Sequence, residues 1–168
     1  MVAQPKDTPG TPLSERDFQQ GKVLTISWKL EARYAWDAGA ALSRYLNAFK
    51  EGRILGSRCP SCKRTVVPPR TFCELCFRPM AEYVDLQDTG TVNTFSLCYV
   101  TWDMQRLKEP IIPAVVEIDG ASQGMGIMHL LGEVEPEAVR IGMRVRAVWK
   151  PARQRTGAVT DIKYWKPE

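Results

Sequence analysis

The spacing of apolar and polar residues changes along the chain, from a period near that of a helix to a period of two. The stretch DAGAALSRYLNAFKEG (37–52) has the helical period. Its apolar side chains fall on one helical face: Ala41, Leu42, Tyr45, Leu46 and Phe49. We expect Asp37 to cap the N-terminus of this helix, because a short carboxylate accepts hydrogen bonds from unpaired backbone N–H groups. Lys50 lies in the predicted last turn and Gly52 at the predicted end.

The first part of the chain has no clean periodicity. Residues 1–12 are rich in Pro, Thr and Gly and are expected to form a tail. A short helical turn is predicted from Ser14, since Asp17 follows it three residues later. The next stretch, LTISWKLEARYAW, mixes charged residues with three large aromatic ones: Trp28, Tyr34 and Trp36. Aromatic residues are enriched in protein–protein interfaces, so these three are candidate partner-binding residues.

The second half of the chain has the alternation of β-strands. Five segments show it: GTVNTFSLCYV, IPAVVEIDG, SQGMGIMHLLGEV, MRVRAVWKP and AVTDIKYWKP. In the first segment one predicted face carries Phe95, Leu97 and Tyr99. EPEAVRIG, between the third and fourth segments, is predicted to form a short helical turn. Five short strands with a helical element after the third predict a small closed barrel of the OB type.

Composition narrows the class of protein. The chain has 168 residues and a net charge of +4, which suits one ordinary domain or two small ones. No run of about 18 apolar residues is present, so we expect no membrane-spanning helix. The N-terminal stretch lacks the apolar segment of a signal peptide. The expected location is therefore cytoplasmic, where thiols stay reduced.

Four of the five cysteines lie in CPSCKRTVVPPRTFCELC (59–76). They form two C-x-x-C pairs: Cys59 with Cys62, and Cys73 with Cys76. A reducing compartment argues against disulfides, and a redox C-x-x-C normally stands alone at a helix start. Two pairs at short separation match a tetrahedral four-cysteine site, for which zinc is favoured and iron is the alternative. Four sulfurs complete a tetrahedron, so the predicted metal is structural.

Two details around the cysteine pairs bear on this interpretation. Such turns often place glycine just after the second cysteine, whereas Lys63 and Phe77 stand there in this chain. Pro68 and Pro69 stiffen the connection between the pairs. Arg70, which follows them, is a candidate for contact with either the thiolates or a partner.

Several motifs in order give the chain a resemblance to a known family. EGRILG at the helix end, RCPSC, VPPRTFCELC, GTVNTFS, PAVVEIDG and EPEAVRIGMRV resemble a family of proteins associated with acyl-CoA metabolism. The resemblance runs from about Tyr45 to the C-terminus. It implies a rubredoxin-like zinc ribbon followed by a five-stranded OB-type barrel, in a mainly β fold with N-terminal helices. It also implies that the chain is an accessory subunit of a thiolase-like enzyme and that the enzyme, not this chain, carries the catalytic cysteine.

The resemblance and the patterns together predict four regions. Residues 1–36 form a tail and partner-contacting segment, 37–56 the helix and its lead-in, 57–82 the zinc ribbon and 83–168 the barrel. The expected complex is a hetero-oligomer that makes or breaks a carbon–carbon bond beside a CoA thioester. In such a complex the barrel can border the channel for CoA.

The chain itself offers few catalytic groups. Beyond the four paired cysteines only Cys98 remains as a thiol, and His129 is the single histidine. Both lie in apolar strand segments, where Cys98 is expected to be a small buried hydrophobe and His129 a satisfied or partly buried imidazole. We therefore assign no catalytic residue to this chain. A freestanding CoA-dependent enzyme that uses Cys98 is an alternative, which would lose its turnover in Cys98→Ala.

Basic residues alternate with apolar ones in the fourth strand segment: Arg144, Arg146 and Lys150. They are candidates for contact with the phosphates of CoA. A second alternative is an OB-fold protein that binds single-stranded nucleic acid, with aromatic platforms beside a positive groove. It is disfavoured because most barrel aromatics fall at predicted core or loop positions.

Overall fold

The computed structural model describes residues 13–26 and 34–168, which belong to two compact units, Met1–Trp36 and Asp37–Glu168. In the first unit helix α1 (Glu15–Gln19) begins after Ser14, as predicted. The Asp17 carboxylate accepts hydrogen bonds from the Ser14 N–H at 2.9 Å and the Ser14 hydroxyl at 2.7 Å. Within the described ranges no helix is long and apolar enough to cross a membrane.

Helix α2 (Gly39–Glu51) opens the second unit. The prediction that Asp37 is its N-cap is wrong by one residue, because Ala38 holds that position and Asp37 instead accepts the Gly39 N–H at 2.9 Å. The buried face carries Ala41, Tyr45, Ala48 and Phe49. The helix ends at Gly52 as predicted; its left-handed backbone (φ 76°) suits a residue without Cβ.

The buried face of α2 differs from the predicted one at three positions. Leu42, which was predicted on it, is 42% exposed, and Leu46 is only partly buried. Ala48 is buried instead. A helix packed on a curved barrel has close contacts over a narrow stripe, so the position of that stripe depends on the partner surface as well as on the helical period.

Three strands form a small antiparallel sheet after α2: β1 (Ile54–Arg58), β2 (Thr65–Val66) and β3 (Glu82–Leu86), in the order β2-β1-β3. The two cysteine pairs lie in loops beyond the ends of these strands. The Val67–Pro68 peptide bond in the connection is cis. Ser57 fixes the same connection, since its hydroxyl donates to the Arg70 carbonyl at 3.1 Å and accepts the Arg70 N–H at 2.9 Å.

Seven strands follow in chain order: β4 (Thr89–Phe95), β5 (Cys98–Val100), β6 (Arg106–Ile111), β7 (Pro113–Ile118), β8 (Gly126–Leu130), β9 (Arg144–Trp149) and β10 (Ile162–Pro167). Five of them pair in the order β10-β9-β4-β7-β8. A parallel bridge between Leu131 and Trp165 closes the ring, and the Gly132 N–H donates to the Trp165 carbonyl at 2.9 Å. A short 3-10 helix (Pro136–Ala138) lies between β8 and β9. The predicted OB-type barrel is thereby confirmed.

The segment GTVNTFSLCYV forms two strands rather than the predicted one. The chain leaves the barrel after Phe95, and the Ser96 N–H donates to the Pro113 carbonyl at 3.0 Å. Strands β5 and β6 then form a separate hairpin. The predicted common face therefore does not exist, and Leu97 and Tyr99 are exposed. Alternation indicates extended backbone, but it does not say which sheet the strand joins.

Two apolar clusters form the interior of the second unit. The larger joins α2 to the barrel, with Phe49 and Trp165 fully buried and the rings of Phe49 and Trp149 5.3 Å apart. The smaller lies in the ribbon around Cys59, Val66, Cys73 and Met80. Met125, in the turn between β7 and β8, packs against both clusters.

Candidate metal centre and surrounding surfaces

The four cysteines of the two pairs converge on one point. All four sulfurs lie within 4.8 Å of one another, and the Cys62 and Cys73 sulfurs are 3.7 Å apart. A zinc–sulfur bond of about 2.3 Å requires tetrahedron edges of roughly 3.8 Å, so the observed spacing fits one ion. Cys59 and Cys73 are buried, Cys76 is half-buried and Cys62 is exposed. The four sulfurs would complete the coordination shell, which suits a structural ion.

The two cysteine pairs lie in two separate backbone turns that have the same hydrogen-bond pattern. In the first turn the Cys59 N–H donates to the Arg64 carbonyl at 2.8 Å, and the Lys63 N–H donates to the Cys59 carbonyl at 3.1 Å. In the second the Cys73 N–H donates to Arg78 at 2.9 Å, and the Phe77 N–H to Cys73 at 2.8 Å. Two copies of one turn thus face each other across the sulfurs.

The residues after the second cysteine of each pair have a left-handed backbone, with φ of 61° at Lys63 and 52° at Phe77. This conformation favours glycine, because a Cβ approaches the following carbonyl. Lys63 and Phe77 therefore stand at positions where glycine is common in such turns, and their backbone keeps the conformation that glycine favours. Lys63 has a local compensation, since its ammonium donates to the Pro60 carbonyl at 2.8 Å.

The protonation of the thiols reflects their crowding. Backbone N–H groups, first that of Cys62, lower the pKa of the Cys59 thiol to about 7. The backbone of Arg64 lowers the pKa of Cys62, but the neighbouring thiols of Cys76, Cys59 and Cys73, together with partial loss of solvation, outweigh it and raise that pKa to about 12. Several thiolates at this distance repel one another, and a divalent cation removes that repulsion.

Two arginines near the thiols, Arg64 and Arg70, form ion pairs with one carboxylate. Glu74, between the cysteines of the second pair, lies 3.4 Å from Arg64 and 3.2 Å from Arg70. Arg70 was a candidate for contact with the thiolates or a partner, and its ion pair with Glu74 leaves its side chain half exposed. Its partner contact stays a prediction.

The basic residues of β9 are also paired within the chain. Arg144 donates to both carboxylate oxygens of Asp119, at 2.6 and 2.9 Å, and to Glu168 at 3.2 Å. Arg146 donates to Asp88 at 3.0 Å and to Glu168 at 3.1 Å. A phosphate would therefore have to compete with these carboxylates. Binding of CoA by Arg144, Arg146 and Lys150 stays a prediction.

Lys150 lies in a different setting from the two arginines. It borders an apolar groove of about 510 Å³ that Met128, Leu130 and Ile162 line. Met128 is 75% exposed on the outer face of β8. Sequence reasoning did not single out this groove, because its walls come from strands that are distant in the chain.

The aromatic candidates of the first unit are described in part. Tyr34 is 78% exposed and Trp36 is 86% exposed. Trp28 lies outside the described residues. Both side chains expose the large apolar area that anchor residues of interfaces bury. Partner binding by Trp28, Tyr34 and Trp36 stays a prediction.

Cys98 and His129 have different neighbours. Cys98 begins β5 and pairs with Ile111 in the hairpin. His129 lies in β8 opposite Ala114, and its Nε2 atom is 3.3 Å from the Val159 carbonyl oxygen. Both side chains are half-buried, which agrees with the partly buried imidazole expected for His129 but not with the fully buried thiol expected for Cys98.

Comparison with known proteins agrees with this architecture. Residues 46–80 match the family model described as the rubredoxin-like zinc ribbon domain of ChsH2, and residues 83–150 match the C-terminal OB-fold domain of ChsH2. Together the two models cover more than half of the chain. Two relatives are DUF35 domain-containing scaffold proteins. That of Methanocaldococcus jannaschii is 29% identical over 117 residues, which are 68% of this chain and 81% of the relative. That of Pyrococcus furiosus is 26% identical over 114 residues, 67% of this chain and 81% of the relative.

Two solved structures have the same fold. A DUF35-family protein of unknown function from Sulfolobus solfataricus superposes with a TM-score of 0.62 at 23% identity, over 77% of this chain and 87% of the other. A chain of the Ltp2-ChsH2(DUF35) aldolase superposes with a TM-score of 0.58 at 22% identity, over 80% and 98%. The fold and the metal centre thus define a zinc-ribbon protein with an OB-fold barrel. The chain belongs to the DUF35 family.

Proposed function

We propose that this chain is a non-catalytic accessory subunit of a thiolase-like acyl-CoA enzyme, in which the partner carries out the chemistry. The observation that carries the proposal is the use of the thiols. Four of the five cysteines converge in the metal centre, so Cys98 is the one thiol of the sequence that remains. The sequence has one histidine, His129. Nucleophilic catalysis of acyl transfer needs a thiol, a base within hydrogen-bond reach and an oxyanion site.

The relatives support a role in assembly. Two of them are named scaffold proteins, and one similar fold comes from a structure named for an aldolase and its DUF35 protein. An aldolase makes or breaks a carbon–carbon bond, which is the reaction class that the resemblance to accessory subunits of thiolase-like enzymes implies. The proposed partner is therefore an enzyme of that class, which makes or breaks a carbon–carbon bond next to a CoA thioester.

Each region has a proposed role. Residues 1–36 contact the partner through Trp28, Tyr34 and Trp36, and 37–56 lead into the ribbon. Residues 57–82 hold a structural Zn²⁺ through Cys59, Cys62, Cys73 and Cys76. The barrel (83–168) borders the path of CoA. Bound zinc would lock the two turns together without taking part in the reaction.

The test of this proposal is assembly with a thiolase-like enzyme of the same genome, beginning with any that is encoded beside the chain. We expect the isolated chain to have no thiolase or aldolase activity and the mixture to elute as one complex that cleaves the CoA substrate. A chain that lacks residues 1–36 should keep its zinc and lose affinity for the enzyme. Separate elution of the two proteins, with the enzyme fully active alone, would rule the accessory role out.

A second experiment tests the proposed CoA contact of β9. Arg146→Glu should raise the KM for the CoA substrate without changing the zinc content, since it places a carboxylate where a phosphate would bind. Arg153→Glu is the matched control, because it makes the same charge change in the short 3-10 helix after β9 (Ala152–Gln154). Equal KM values for the two variants would show that β9 does not contact CoA.

A further inference from the structure

The hairpin formed by residues 98–111, which leaves the barrel between β4 and β7, lacks an apolar interior of its own. No residue of β5 or β6 is buried, and the two strands pair with each other alone. An isolated two-stranded hairpin is at best marginally stable in water, because neither of its faces buries enough apolar area. This hairpin therefore has apolar surface that the described part of the chain does not cover.

The tip of the hairpin is nevertheless fixed by several hydrogen bonds. The Thr101 N–H donates to the Gln105 carbonyl at 2.9 Å, and the Gln105 N–H donates to the Thr101 hydroxyl at 3.0 Å. The Met104 N–H donates to the Thr101 carbonyl at 3.0 Å, and the Thr101 hydroxyl also contacts Asp103. A fixed tip loses little conformational freedom on binding, which favours affinity.

This fixed tip presents two large apolar side chains to solvent. Trp102 is 96% exposed and Met104 is 80% exposed. Tryptophan is one of the residue types enriched among those that dominate binding energy in interfaces. Below the tip Arg106 and Lys108 lie two residues apart in β6, so they share a face. Neither forms an ion pair with a carboxylate among the residues that the structure describes.

We propose that the hairpin is a second docking element of the accessory subunit, separate from residues 1–36. Trp102 and Met104 enter an apolar pocket of the partner enzyme, and carboxylates on the rim of that pocket face Arg106 and Lys108. This inference rests on the proposed function, because the occupant is the same thiolase-like enzyme. It adds the surface through which the barrel itself contacts that enzyme.

A protein fits this surface better than a single-stranded nucleic acid. Stacking on Trp102 with nearby cations would suit bases and phosphates. However, Asp103 and Glu109 balance the charge of Arg106 and Lys108, so the hairpin carries no net positive charge. Met104 at the tip is an aliphatic side chain, which fills an apolar pocket well but gives no stacking platform.

The experiment measures binding of the whole chain to the immobilised partner enzyme. Trp102→Ala should weaken the affinity at least about 30-fold, the effect of a dominant interface residue. Ile141→Ala is the matched control, because Ile141 is an apolar residue that is 69% exposed and lies outside the hairpin. Both variants should keep their zinc and their melting temperature. Arg106→Glu should slow association and reduce its dependence on salt.

The outcomes separate the two proposals. If the wild-type chain binds the enzyme and Trp102→Ala binds equally well, the docking role of the hairpin is overturned and the accessory role stands. If a labelled oligothymidylate binds the wild type and not Trp102→Ala, the surface takes nucleic acid and the docking proposal is overturned. If the wild type does not bind the enzyme at all, the accessory role itself fails and the docking proposal fails with it.

Discussion

Arg144 and Asp119 form a two-pronged ion pair across the barrel surface, with both terminal nitrogens of the guanidinium on both oxygens of the carboxylate. Arg144 lies in β9 and Asp119 directly follows β7, and β4 runs between these two strands. The Thr89 hydroxyl of β4 also donates to Asp119. The pair therefore ties three neighbouring strands of the barrel together at one end.

This relationship predicts a pH-dependent contribution to stability. The hydrogen bonds from Arg144 lower the pKa of Asp119, with a further contribution from Thr89. A carboxylate with a lowered pKa stabilises the folded state above its unfolded pKa, and that stability is lost as the pH falls through the lowered value. Asp119→Asn should lower the melting temperature at pH 7 by about 1–3 °C, because exposed pairs contribute little.

The difference between wild type and Asp119→Asn should shrink as the pH is lowered below 4. Glu137→Gln is the control, since Glu137 is exposed and makes no ion pair within the described residues. A deficit for Asp119→Asn that persisted unchanged at low pH would show that the ion pair is not its cause.

The convergence of four sulfurs predicts one zinc ion per chain. Cys73→Ser should lose the metal and unfold the ribbon, because zinc contributes on the order of 10 kcal/mol of folding free energy in small four-ligand motifs. Elemental analysis and thermal unfolding measure the two effects. Cys98→Ser is the matched control and should keep the zinc. Wild-type protein without bound metal but with its native melting temperature would contradict the prediction.

The left-handed backbone at Lys63 predicts a stabilising substitution. Lys63→Gly should raise the free energy of unfolding by up to about 1 kcal/mol, since it relieves about 1–2 kcal/mol of backbone strain while the extra freedom of glycine in the unfolded state costs about 0.5–1 kcal/mol. Lys63→Ala removes the same ammonium contact with Pro60 but keeps the Cβ, so it should not stabilise. Urea titration of the metal-loaded protein measures both. Equal stability of the two variants would argue against strain at this position.

The close packing of Gly90 against β7 predicts a large loss of stability. A Cβ at Gly90 would meet the Glu117 carbonyl oxygen inside van der Waals contact and would lie 2.7 Å from Val116 Cγ1. Gly90→Ala should cost roughly 2–3 kcal/mol, because the obstacle is backbone that cannot move aside. Gly124→Ala has open space around its Cβ and should cost only about 1 kcal/mol, for its positive φ of 76°. Equal losses in denaturant titration would show that the barrel adjusts at Gly90.

The proposed division of labour predicts that Cys98 and His129 are dispensable for the reaction. Cys98→Ala and His129→Gln should leave the activity of the assembled complex within a few-fold of wild type. The wild-type complex is the positive control, and a complex in which the proposed catalytic cysteine of the partner is replaced is the negative control. A fall of about 10⁴-fold in an intact complex, for either variant, would place catalytic groups on this chain.

The parts of the structure that sequence predicted are those set by short-range spacing. The cysteine pairs locate the metal centre because each pair is a local turn, and the alternation around Val145 locates β9 because it repeats within one strand. The order of five strands with a helical turn after the third was enough for the barrel. The resemblance to a known family added the same result independently.

The parts that sequence missed depend on contacts between distant positions. Asp119 and Glu168 are partners of Arg144 only because the barrel brings their strands together. Leu97 and Tyr99 alternate like barrel residues, yet they belong to a hairpin outside it, since the choice of sheet is decided by tertiary pairing. The N-cap of α2 is Ala38 and not the predicted Asp37, which lies one residue before the cap and accepts a hydrogen bond from the Gly39 N–H.

The turn between β7 and β8 has a consequence for the mechanics of the second unit. Ser122 exchanges two hydrogen bonds with Thr65 of the ribbon, at 2.9 and 3.0 Å, and Met125 fills the space between the two apolar clusters. Ribbon and barrel are thus braced against each other instead of hinged. A protein that bound the ribbon and one that bound the barrel would therefore be connected through this turn, and we expect loss of the metal to change the spacing between them.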